Sequence, residues 1–128
     1  MLKSKNILKG FLGGVSGGMV VDLIYITFAG PSGLFTLLGI TERSEVFWSH
    51  AFLGGILGIL FAMILNKLPN FNIWLAGIFY GLACLALIGA IPSFIVKLTI
   101  TPLTIIFGFI VWILFGLILA ATLKFTDR

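Results

Sequence analysis

Two side chains stand out for the chemistry they can do. Asp22 is the one carboxylate within a long apolar run, and His50 is the only histidine in 128 residues. A carboxylate beside an imidazole can pass a proton, hold a cation, or lock two helices together through a polar contact. Tyr25, three residues beyond Asp22, can add a hydroxyl to the same neighbourhood. An aspartate near a bilayer centre costs about 2.5–3.5 kcal/mol on insertion scales, so such groups face protein and find partners.

The spacing suggests which partner. Every fourth residue leading to the acid reads Gly10, Gly14, Gly18, Asp22, and every fourth residue leading from the histidine reads His50, Gly54, Gly58, Ala62. Residues four apart share one face of a helix. Each run therefore carries a stripe without side chains that ends in an ionisable group. In lipid, helices associate through close backbone packing, which small residues at this step permit. Laid antiparallel, the stripes set Gly18 near Gly54, Gly14 near Gly58 and Gly10 near Ala62. Asp22 and His50 then lie about 9 Å and about 5 Å below the outer boundary, at about 1.5 Å of rise per residue. Side chains can close that gap. Ser16 reads as a further small residue of the seam.

The elements that hold these stripes must be membrane helices. The chain is 60% hydrophobic and 9% charged, with a mean hydropathy of +1.24. A soluble domain of this length leaves too much surface in water to carry that composition. Four apolar runs, at about 7–28, 47–65, 73–94 and 103–123, match the 20 or so residues that cross a bilayer core. They are continuous rather than alternating, which excludes a barrel. The expected fold is all-α: one polytopic domain over residues 1–128 with four transmembrane helices. The length of the first run, and Asp22 within it, argue for a retained helix over a cleaved signal.

Lys3, Lys5, Lys9, Lys67, Lys124 and Arg128 fall on one side of such a bundle, and Arg43 and Lys97 on the other. That asymmetry predicts cytoplasmic termini. The link around Pro69 is tight, so the second and third runs should be antiparallel neighbours. Pro92 should kink or end the third helix, and Pro102 should sit in the first turn of the fourth. The outer loop 30–46 is longer. Its apolar stretch 34–40 is too short to span and suggests an interfacial or re-entrant segment. Ser44 is placed to cap the second helix, with Glu45 in its first turn. Trp48 and Trp74 read as interface anchors, while Trp112 and Cys84 read as packing residues.

Little supports catalysis. No nucleophile elbow, zinc-binding helix, phosphate loop or dinucleotide fingerprint is present, and one histidine with one cysteine makes a poor metal set. No cofactor is expected, a haem or chlorophyll contact at His50 being the weaker alternative. The net charge of +4 reflects topology, with no basic stripe or aromatic platform for nucleic acid. The expected partners are the lipid bilayer and either a membrane protein or further copies of the chain. The leading reading is a non-enzymatic accessory or assembly subunit of a larger membrane complex. The alternative is an oligomeric proton- or cation-handling transporter or channel built on Asp22 and His50.

The glycine-rich start "LKGFLGGVSGG", the Gly30-Pro31 loop, the His-x-x-x-Gly-x-x-x-Gly opening of the second run and Tyr80-Gly81 in the third form one layout. It resembles small prokaryotic multi-span membrane proteins of the YagU type. The resemblance covers the first three runs, implies a bacterial or archaeal plasma membrane, and assigns no site.

Overall fold

The computed structural model describes residues 4–24, 38–40, 42–68, 70–95 and 102–126. Of these, 91% are helical and none lies in a strand. The elements are α1 (Ser4–Ile24), α2 (Arg43–Asn66), α3 (Ile73–Ile95) and α4 (Pro102–Thr126). All four are long and apolar enough to cross a membrane. The chain is an all-α polytopic membrane protein. Tyr25 and most of the outer loop, including residues 30–37, lie outside the described residues.

Glycine decides which helices touch. A Cβ built on Gly10 would lie 2.5 Å from the carbonyl oxygen of Gly58 and 3.1 Å from Cβ of Ala62. Gly14 meets the Gly54 carbonyl and Gly18 the His50 carbonyl in the same way, so α1 and α2 run antiparallel in backbone contact. Each α1 glycine lies between two α2 positions, half a turn from simple opposition, as interdigitating ridges require. Ser16 is not part of this seam. Two residues from Gly14 it points to the other side of the helix, and it is exposed.

The second pair repeats the first. Gly77 packs on the carbonyl of Gly116 and Gly81 on that of Trp112, which brings α3 and α4 together antiparallel. The pairs join through a second α1 stripe: Gly13 faces Thr122, and Gly17 lies under the Phe115 ring. The equivalent positions of α3, immediately before Gly77 and Gly81, are Ala76 and Tyr80. A tyrosine stands where α1 has glycine, so α3 cannot approach α2 as α1 approaches α4. The short link does not make α2 and α3 close neighbours. They meet through side chains, with the Tyr80 hydroxyl donating to the Leu57 carbonyl at 2.5 Å and its ring centroid 5.0 Å from that of Phe61. Val21, Phe61, Val111, Phe115 and Leu119 fill the centre.

Pro92 does not end α3. The turn before it, Leu85–Ala90, is wound as a π-helix, and the N–H of Ile91 reaches the carbonyl of Ala86. Proline lacks an N–H and its ring crowds the carbonyl four residues back, and the wider turn relieves that conflict. The helix resumes over Ile91–Ile95, where the Ser93 hydroxyl bonds back to the Gly89 carbonyl. Ser44 does not cap α2. The helix starts one residue earlier at Arg43, with Glu42 as an extended N-cap that makes no side-chain cap bond, and Glu45 falls in the first turn. Asn72 caps α3, accepting from the N–H of Trp74 at 2.9 Å and of Leu75 at 3.4 Å. Pro102 opens α4.

Candidate functional site

Asp22 lies in the last turn of α1, and His50 in the second turn of α2. Gly18, one turn before Asp22, rests on the carbonyl of His50. With no Cβ between the backbones, the next side chain up α1 lands on the imidazole. Nδ1 of His50 is 2.8 Å from Oδ1 of Asp22. Among the described residues these are the only buried polar or charged side chains, at 1% and 5% exposure. One proton lies on the line between them, and each group meets part of the other's hydrogen-bonding need. A carboxylate on Nδ1 also fixes the plane and tautomer of the ring, leaving Nε2 as its second polar atom.

The seam residues Gly10, Gly14 and Gly18 of α1 and Gly54, Gly58 and Ala62 of α2 form a continuous contact below this pair. The structure therefore brings together eight of the ten residues assigned to the pair and its seam from the sequence. Ser16 points away from the seam, and Tyr25 lies outside the described residues. Two contributors carried weaker signals. Gly13 and Gly17 form a second small stripe about 100° round α1 from the first, which marks a second close neighbour. Tyr80 has no sequence signature for its bond to Leu57, because that acceptor is set by how α3 leans on α2.

A small crevice lies beside His50. Its walls come from α1, α2 and α4, through Gly18, Val21, His50, Leu57, Trp112 and Phe115 among others, and α3 lines none of it. Its volume is about 10 Å³, at the threshold for a single water molecule. A haem or chlorophyll macrocycle does not fit beside His50 in this space. Trp112 and Phe115 pack edge to face above it with centroids 5.4 Å apart. Among the described residues, no three His, Cys, Asp or Glu side chains gather as a metal would require.

Chemically, the arrangement can hold one proton between a carboxylate and an imidazole in a low-dielectric setting and can pin α1 to α2. The rest of the described core is mainly aliphatic and aromatic, with Trp112, Tyr80 and the buried Cys84 packed in it. No family model matches the chain, and no curated protein or solved structure matches it either.

Proposed function

We propose that this chain is a non-enzymatic integral membrane protein of a prokaryotic cell membrane, working as an accessory or assembly subunit packed against a larger membrane complex. The buried polar pair carries this reading. Asp22 and His50 bond to each other inside an otherwise apolar bundle, which suits a register lock better than a passage for solute. The remaining chemistry lies on the perimeter. Large apolar side chains such as Leu12, Phe52, Phe79 and Phe109 face outward from all four helices, a surface for lipid and for other membrane helices. Purification in mild detergent tests the idea: a partner of fixed stoichiometry should copurify, and a clean monomer would count against it.

One observation favours a second reading. The crevice leaves space for about one water molecule beside His50, as a proton- or cation-handling site in an oligomer would need. Liposomes containing the protein should then show a proton or cation flux that Asp22→Asn abolishes while the helical content survives. Absence of flux in the parent protein rejects this reading.

A further inference from the structure

We propose that the exchangeable cargo of the Asp22–His50 site is a proton, and that its surroundings exclude metal cations. This rests on the proton- or cation-handling reading and names what such a site takes. The donor set comes first. An alkali or alkaline-earth ion replaces its water shell with about six oxygen ligands, supplied by carboxylates or by carbonyls turned toward it. Asp22 is the only buried carboxylate among the described residues, and its Oδ1 is already engaged by Nδ1 of His50 at 2.8 Å. The carbonyls of the crevice wall lie inside α1, α2 and α4, where they point along the helix axes rather than into the crevice. The wall side chains beside His50, such as Leu53, Trp112 and Phe115, carry no oxygen. A transition metal would need at least a third ligand, and among the described residues no group of three His, Cys, Asp or Glu side chains supplies one.

Space leads to the same cargo. A crevice of about 10 Å³ holds one water molecule at most, too little for an ion that keeps part of its hydration shell. A proton needs no ligand shell, and one water molecule is enough to hand it on. With a single proton between Nδ1 and Oδ1, the pair carries one net negative charge. A second proton leaves it neutral, as carboxylate and imidazolium in contact, and its loss restores the first state. The two groups titrate as one unit. Other ionisable groups stand apart from it. From α4 the crevice receives Trp112 and Phe115, Tyr80 and Cys84 of α3 are not in its wall, and Glu45 of α2 is exposed.

His50 is the only histidine of the chain, so isotope-labelled histidine reports this one site by nuclear magnetic resonance of the full-length protein in lipid nanodiscs. Changing the pH, over the range in which circular dichroism shows the helices intact, should shift both ring nitrogens in a single step. Replacing choline by sodium, potassium, calcium or zinc at constant pH and ionic strength should shift neither. A shift caused by any of these metal ions overturns the proposal, and so does a ring that ignores pH. Asp22→Asn, with its helical content intact, should move the pH midpoint of the step; an unmoved midpoint overturns the shared site. Proton flux is read separately in liposomes. A pair that titrates without flux rejects the transport reading and leaves the proton site standing, whereas flux accompanied by a metal-induced shift does the reverse.

Discussion

At the scale of single residues, the contact between Asp22 and His50 is a matter of mutual satisfaction. Removing one partner leaves the other's polar atoms short of a bond in a buried site, at a cost of about 1–3 kcal/mol. Asp22→Leu and His50→Leu should each destabilise the bundle, and the double variant should lose less than the sum, with a coupling of about 1 kcal/mol. Unfolding in mixed micelles with increasing denaturing detergent measures all four proteins. Additive losses would show that the pair does not act as a unit. Asp22→Asn keeps an acceptor for the Nδ1 proton and should cost less than Asp22→Leu in the same assay. The positions of these two groups were legible in the sequence because four-residue spacing fixes a helix face. The Tyr80 bond was not, since its acceptor is a backbone carbonyl that every residue owns. The Ser44 cap was misread for a related reason: a serine near a helix start is a capping signal only if the first turn begins just after it.

At the scale of elements, the difference between backbone and side-chain contact sets the cost of change. A Cβ at Gly14 would meet the carbonyl of Gly54, part of a helix that cannot yield locally. Gly14→Ala should therefore force α1 and α2 apart and cost about 1–3 kcal/mol, as overpacking does. Gly55 meets the edge of the half-buried Phe11 ring, which can rotate away. Gly55→Ala should be the milder change in the same unfolding assay, and equal losses would contradict this account. The order of the helices could not be read from loop length. The link at 66–72 brings α2 and α3 together in sequence, yet their separation is set by Tyr80 occupying the place of a glycine. Pro92 likewise marked a disturbance in α3 without revealing its form. Whether a helix ends, kinks or widens at proline depends on what supports the far side, and here Ile88 and Pro92 still pack.

At the scale of the whole molecule, the charged side chains that the structure describes outside the buried pair separate by end. Antiparallel packing puts Lys9, Lys67 and Lys124 at one end of the bundle and the exposed Glu42 and Glu45 at the other. The positive-inside tendency predicts that the lysine end faces the cytoplasm. A fluorescent reporter fused after Arg128 should fold and emit, whereas a periplasmic alkaline phosphatase at the same point should stay inactive. The reverse pattern would overturn this orientation. Little of the stability of such a bundle comes from burying oil away from water, because its perimeter is solvated by lipid. Close van der Waals contact and interhelical polar bonds take that role.

The sequence alone determined the number of helices, their membrane length and the two small-residue faces, because those follow from hydropathy and from 3.6 residues per turn. Tertiary structure alone decided that α1 rather than α3 is the helix with two close neighbours, that α3 stands off from α2, and that a crevice lies beside His50. These depend on which backbones can touch once all four helices are present. That is a property of the assembled surfaces, and no single stripe carries it.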